Sequence, residues 1–147
     1  LMSLLITSLT IQISICLNAG MLTSVADDLN EMDANILNLL EEGDKKEAVR
    51  IYDRITRYNY MLKGILSKFK QDFHSQVVNV APEIWKRGPP RFAEFNDFTE
   101  LQSTNLWGYK QVNVVTKAIS DTNKIWDEFH KTCQQKIKPG SLNKFNL

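Results

Sequence analysis

The chain has 147 residues and a net charge of +1, with 43% apolar and 24% charged residues. This length fits a single domain, and this composition excludes general disorder. The near-neutral charge gives no reason to expect binding to nucleic acid.

An uncharged apolar segment lies at residues 4–17, and the first charged residue is Asp27. The segment is shorter than a membrane-spanning helix of about 20 residues, so no stable membrane span is expected. It fits the apolar region of a secretory signal peptide, and Ser24 and Ala26 provide the small residues of a cleavage site. Residues 1–26 are therefore predicted to be a signal peptide, with cleavage after Ala19 as a second option, and the mature protein is predicted to be extracellular. An uncleaved anchor and a buried core helix are the alternatives.

Apolar residues recur at steps of three and four between residues 25 and 42, which predicts an amphipathic helix. They are Leu29, Met32, Ile36, Leu39 and Leu40. Residues 27–42 contain six acidic and no basic residues, whereas residues 44–70 contain eight basic and three acidic ones. The plainer interpretation is that these two segments pack side by side and neutralise each other.

A heptad-like apolar pattern predicts a second helix from residue 45 to about residue 79, although the pattern weakens beyond Phe69. Asp44 and Glu47 form a candidate capping box at its start. Four basic side chains follow one face of this helix and are a candidate contact for an anionic surface, such as a sulfated glycan or anionic lipid. They are Lys46, Arg50, Arg54 and Arg57.

Residues 80–100 are predicted to be a linker, because Pro82 and the Gly88-Pro89-Pro90 run interrupt a continuous helix. Aromatic residues mixed with arginine favour binding hot spots, and loops on rigid scaffolds often carry function. The candidate binding residues in this segment are Trp85, Arg87, Arg91, Phe92, Phe95 and Phe98. In the alternative interpretation, the three phenylalanines plug the end of the bundle as a short amphipathic turn.

The last helix is predicted to begin between residues 97 and 104 and to end near Lys136, before Pro139 and Gly140. Its predicted apolar stripe consists of Trp107, Val114, Ala118, Ile125 and Phe129, widened by Val115, Ile119, Trp126 and Cys133. Residues 139–147 are predicted to be a flexible tail.

The predicted fold is all-α: an elongated antiparallel bundle of about three helices, two long and one shorter, after the N-terminal apolar leader. Residues 27–138 form this single predicted domain. Two helices of similar length joined by a turn-rich linker are expected to fold back on each other.

Cysteine usage limits the covalent chemistry. Cys16 lies in the leader, so the processed chain would keep only Cys133 and could form no internal disulfide. Because Cys133 lies on the predicted apolar stripe, we expect it to be buried. A disulfide-linked dimer through Cys133 is the alternative.

Motifs for catalysis or metal binding are absent from the sequence. It contains no glycine-rich phosphate loop, no G-x-S-x-G and no H-E-x-x-H. Asp127, His130 and Cys133 are spaced by three, but only two neighbours of such a series converge, and zinc requires three or four protein ligands. We therefore predict no catalytic residue, no metal site and no cofactor.

The leading hypothesis is a secreted, non-enzymatic helical protein that acts by macromolecular interaction, with another protein as its partner. The first alternative is an extracellular carrier that holds a small apolar ligand between its helices. The second, which applies if the leader is retained, is a coiled-coil subunit of an intracellular assembly.

Overall fold

The computed structural model of the chain describes residues 22–42, 48–71, 75–95 and 97–137. These segments contain five α-helices, one short 3₁₀ helix and no β-strand, which confirms the all-α class. In chain order they are α1 (Leu22–Glu42), α2 (Ala48–Lys70), α3 (Ser75–Arg87), the 3₁₀ helix η1 (Arg91–Glu94), α4 (Phe98–Asn105) and α5 (Tyr109–Lys136).

The two longest helices, α2 and α5, form the most extensive helix pair of the described fold, and they run parallel. Near the middle of both helices, the Thr122 hydroxyl donates a hydrogen bond to Asn59 Oδ1 at 2.7 Å. Nearer to both C-terminal ends, Lys70 forms an ion pair with Glu128. Residue numbers therefore increase in the same direction along the two helices. The prediction that the two long helices are antiparallel is wrong.

The chain between α2 and α5 explains this parallel arrangement. Arg87 at the end of α3 forms an ion pair with Asp27, and the Phe92 N–H in η1 donates to Asp33 Oδ1. Asp27 precedes Asp33 in α1, so the chain from the end of α3 to η1 runs in the same direction as α1. We call α3, η1 and α4 together the return leg. This leg carries the chain back to the end from which α2 started. The result is an up-down-up-down bundle with a broken third leg, in place of the three predicted helices.

The core lies where α1, α2, α5 and the return leg meet. Its most completely buried large side chains come from all four parts of the bundle. They include Ile36 and Leu40 from α1, Ile51, Ile55 and Leu62 from α2, Phe92 and Leu101 from the return leg, and Val112, Val115, Ile119 and Phe129 from α5. Val114, which was predicted on the stripe of α5, is instead exposed, because Val112 and Val115 on either side of it face the core.

The predicted helix over residues 45–79 is divided into α2 and α3. α2 ends at Lys70, directly after Phe69, its last buried apolar residue. The Lys136 ammonium donates to the Lys70 carbonyl oxygen at 3.1 Å, which satisfies one of the open carbonyl groups at this helix end. The helix therefore ends where the apolar pattern ends.

Pro82 lies inside α3, although the sequence predicted that it would prevent a helix here. A proline inside a helix removes one backbone hydrogen bond and costs about 3 kcal/mol. Val80, Ala81 and Ile84 are buried on the same helix, so apolar burial offsets this cost. The helix ends at Arg87, and the next residue, Gly88, has a φ of 87°, a conformation that favours glycine.

The predicted last helix is also divided, at Leu106. Asp97 caps α4 by accepting hydrogen bonds from the Thr99 and Glu100 N–H groups at 2.7 and 3.0 Å. Leu106 then adopts a left-handed conformation with φ 53°, which costs a non-glycine residue about 1–2 kcal/mol. The break places Trp107 in the core ahead of α5. Burial of the indole supplies the compensating stabilisation.

Several predictions fall wholly or partly outside the described residues. These are the leader at residues 4–17, the capping box at Asp44 and Glu47, Lys46, and the tail at residues 139–147. The predicted cleavage site after Ala26 lies within the first two turns of α1, and Ala26 packs into the core.

Candidate interaction surface

Phe92, one of the predicted binding residues, is a core residue. Its side chain is 0% exposed, and its ring meets the Tyr58 ring edge-on, with 5.1 Å between the centroids. Its N–H donates to Asp33 Oδ1 at 2.9 Å. Burial, and secondarily the negative charge of Asp33, raises the pKa of the Tyr58 phenol above its usual range. Phe92 thus joins η1 to both α1 and α2.

The other predicted aromatic residues lie at the edge of the core. Phe95 and Phe98 are half-buried against it, and the Phe98 ring lies 5.4 Å from the Tyr109 ring. Trp85 is also half-buried, and its indole N–H donates to His130 Nδ1 at 2.8 Å. This hydrogen bond joins α3 to α5.

The two arginines of the predicted binding segment have different surroundings. Arg87 forms an exposed ion pair with Asp27 at 2.6 Å. Arg91 is exposed and pairs with no acidic group among the described residues. The structure therefore does not bring the six predicted residues together as one continuous exposed patch.

Asp127, His130 and Cys133, which are spaced by three along the chain, all lie on α5. Within the described segments, no three His, Cys, Asp or Glu side chains are grouped as metal ligands would be. Cys133 is a free cysteine and is buried, as expected from its place on the apolar stripe. An intermolecular disulfide would require this part of the bundle to open.

Burial raises the pKa of the Cys133 thiol to about 12, whereas a thiol in an unfolded chain titrates near about 8.5. Between these values the unfolded state loses the proton and the folded state keeps it. We therefore expect the free energy of unfolding to fall as the pH rises from about 9 towards 12. Between pH 8 and pH 10.5, urea denaturation should show a larger decrease in the free energy of unfolding for the wild type than for Cys133→Val.

Tyr58 is present in both the wild type and Cys133→Val. The difference in their pH dependence of stability therefore reports the contribution of the Cys133 thiol alone. In the folded wild type at pH 8, Cys133 should also react with a thiol reagent only at the rate of unfolding. The labelled residue is identified by peptide mapping, because Cys16 is also a thiol. Rapid labelling of Cys133 in the native protein, or equal pH dependence of the two proteins, would contradict the buried position.

The outward face of α2 carries a second apolar stripe that the sequence analysis missed. Val49 is 70% exposed, Tyr60 is 68% exposed, and Tyr52 is also exposed. Together with Thr56, these residues are spaced by three, four and four, so they lie on one side of the helix, away from the core. This spacing could have been read from the sequence, but the core stripe of the same helix has more apolar residues and is therefore the more prominent pattern.

We call this side the outer α2 face and define it by Val49, Tyr52, Asp53, Thr56, Arg57, Tyr60 and Lys63, all of which are exposed. Contiguous exposed apolar side chains with a polar rim are typical of interaction sites. Tyrosine and arginine are two of the three residue types enriched in binding hot spots.

The predicted basic row overlaps this face at Arg57 and borders it at Arg54. Arg54 is half-buried and Arg57 is exposed, and neither pairs with an acidic group in the described part of the chain. The predicted neutralisation of α2 by the acidic α1 therefore does not extend to these two arginines. The described ion pair of α1 joins Asp27 to Arg87 of α3 instead.

A groove of about 730 Å³ lies between α1 and α2 and is open to solvent. Met32 and Met61 are partly buried in the core beneath it. The groove is lined by Met32, Asn35, Arg54, Thr56, Arg57, Tyr60 and Met61. Apolar thioethers beside two guanidinium groups suit a binding partner that combines apolar and anionic groups.

A comparison with protein-family models, one with curated proteins and one with solved structures each find no match to this chain. Of the helices in the described segments, none is both long and apolar enough to cross a lipid bilayer.

Proposed function

We propose that this chain is a secreted, non-enzymatic helical protein that acts by binding another protein chain through the outer α2 face. The observation that carries the proposal is the exposure of Val49, Tyr52 and Tyr60 on a helix whose opposite side is already buried. A helix with apolar residues on both sides is expected where one side packs in the core and the other meets a partner. Secretion is supported by the apolar segment at residues 4–17.

The charges on this face favour a protein partner. Arg57 and Lys63 are basic, whereas Asp53 lies between Tyr52 and Arg57 along the chain and is exposed. An anionic bilayer or a nucleic acid would repel Asp53, and the net charge of +1 adds little general attraction. A protein surface can place a basic group opposite Asp53 and an acidic group opposite Arg57.

The test is a capture experiment, in which the tagged protein is added to the extracellular fluid of its source. The protein chains that it captures are then identified and quantified, including untagged copies of the protein itself. Arg57→Glu/Tyr60→Glu should reduce capture of the partner at least tenfold, because it removes a hot-spot ring and reverses a charge. The matched control is Tyr109→Glu/Lys110→Glu, since Tyr109 is 69% exposed and both variants change the same types of side chain.

Circular dichroism should show that both variants keep their helices, because all four side chains are exposed. Equal capture by the wild type, the outer-face variant and the control would refute the outer α2 face as the binding surface.

The groove between α1 and α2 favours a second candidate function, that of a carrier for a small amphiphilic anion. Met32 and Met61 would contact the apolar part, and Arg54 would pair with the acidic group. Native mass spectrometry of protein purified from its source should then show a bound small molecule that is lost from Arg54→Glu. A ligand-free mass for the wild type would argue against the carrier.

A further inference from the structure

The arrangement of the outer α2 face points to a second copy of this chain as its partner. The face is symmetric about Thr56: Tyr52 and Tyr60 lie four residues to either side of it, and Val49 and Lys63 lie seven residues to either side. We infer that two copies pair through antiparallel α2 helices that cross at Thr56. This inference rests on the proposed function, because it names the partner of the same surface.

The aromatic side chains fit such a pair. In an antiparallel crossing at Thr56, Tyr52 of each copy lies opposite Tyr60 of the other, so two tyrosine pairs form around the symmetry axis. Exposed rings that stack in this way exclude water and contribute beyond their buried area. Val49 lies opposite the aliphatic part of Lys63, which can cover it while its ammonium group stays in water.

The charges fit as well. Asp53 and Arg57 differ by about 40° around the helix, so both project from the same flank of the face. At a rise of about 1.5 Å per residue, Asp53 of one copy and Arg57 of the other differ by only about 3 Å along the axis. The two Asp53 and two Arg57 side chains form a neutral cluster of four charges across the interface.

The isolated chain leaves these two groups available. Neither Asp53 nor Arg57 takes part in an ion pair with the rest of the described residues, although they are four positions apart on one helix. Arg54 projects away from the seam between the copies, so it brings no repulsive charge into the interface. An unpaired acid and base on one symmetric face are what a self-complementary surface requires.

The size of the surface sets the expected strength. One pair of helices over residues 49–63 covers about 21 Å of length, so the interface falls in the small, transient class below about 1,200 Å². Self-association should therefore be reversible and depend on protein concentration.

Sedimentation velocity between about 5 and about 500 µM tests the inference, since weak pairs dissociate within this range. The full chain should shift from monomer to dimer across the range. Asp53→Arg alone and Arg57→Asp alone should each weaken dimerisation at least tenfold, because each places like charges opposite each other. An equimolar mixture of the two variants should form dimers again, because both opposite-charge pairs are restored between unlike chains.

Lys117→Asp is the matched control, because it has the same net charge as Arg57→Asp but lies on α5. It should dimerise with the affinity of the wild type and should not form dimers with Asp53→Arg at wild-type affinity. A wild type that stays monomeric at 500 µM would overturn the inference, and so would single variants that dimerise normally. Co-sedimentation of a monomeric wild type with phosphatidylserine vesicles would assign the face to a membrane and also overturn it.

The capture experiment separates this failure from failure of the proposed function. Suppose that the wild type is monomeric but captures a different protein, and that this capture is lost with Arg57→Glu/Tyr60→Glu. This result would refute the inferred homodimer but support the outer α2 face as the interaction surface.

Discussion

Replacing Phe92 with alanine should lower the free energy of unfolding by about 3–5 kcal/mol, the usual cost of removing a buried phenylalanine. The side chain is 0% exposed, packs against Tyr58, and lies in a turn that is bound to Asp33. Its loss leaves a cavity where α1, α2 and η1 meet. Urea denaturation of the variant followed by circular dichroism measures the effect.

Arg91→Ala is the control for this prediction, because the neighbouring Arg91 is exposed and its replacement should change stability by less than about 0.5 kcal/mol. A loss below about 1 kcal/mol for Phe92→Ala would mean that the ring is not a core residue. That outcome would return Phe92 to the set of candidate contacts for a partner.

Replacing Thr122 with valine should cost about 1–3 kcal/mol, although valine has nearly the same shape and is less polar. The Thr122 hydroxyl donates to Asn59 Oδ1 at 2.7 Å, and the Asn59 amide donates to the Ala118 carbonyl oxygen at 3.3 Å. Both residues are buried between α2 and α5. Valine would leave the Asn59 oxygen without its partner in a site that excludes water.

The double variant Asn59→Leu/Thr122→Val provides the test of this explanation. It removes both polar partners, and such replacements can be nearly neutral. We therefore expect the double variant to regain part of the stability lost in Thr122→Val, as measured in a double-mutant cycle. Additive losses from the two substitutions would show that the side chains contribute independently.

The all-α class followed from local spacing in the sequence, but the direction of the helices did not. Leu29, Ile36 and Leu40 in α1 are buried, as their three- and four-residue steps predicted. Ile51, Ile55 and Leu62, which follow the heptad-like pattern of α2, are buried as well. These steps show which side of a helix is buried, but not which helix covers it. The parallel pairing of α2 and α5 depends on a return leg that the sequence analysis interpreted as a linker.

Two positions in that leg explain the error. Pro82 was interpreted as a helix breaker, but apolar burial of its neighbours holds it within α3. Leu106 adopts a left-handed conformation that the sequence gives no reason to expect, since glycine and asparagine are the usual residues there. In both cases tertiary packing overrides the local preference of the residue.

The candidate site was only partly predictable. The sequence singled out Arg57, which belongs to the outer α2 face, and Arg54, which borders it, but acidic residues of α1 were predicted to neutralise them. The sequence also predicted that the binding residues lie within residues 85–98, but Phe92 of this segment is buried in the core. The sequence does not distinguish an aromatic residue in the core from one on an interaction surface. The two are distinguished by the burial of the side chain in the folded structure.

The parallel pairing of α2 and α5 also bears on how the chain assembles. Asn59 and Thr122 are separated by 63 residues, so their contact closes a long loop, whereas α1 and α2 are joined by only five residues. Closure of longer loops costs more entropy, and contacts distant in sequence slow folding. We therefore expect the α1–α2 hairpin to form early and the α2–α5 seam to be completed late in folding.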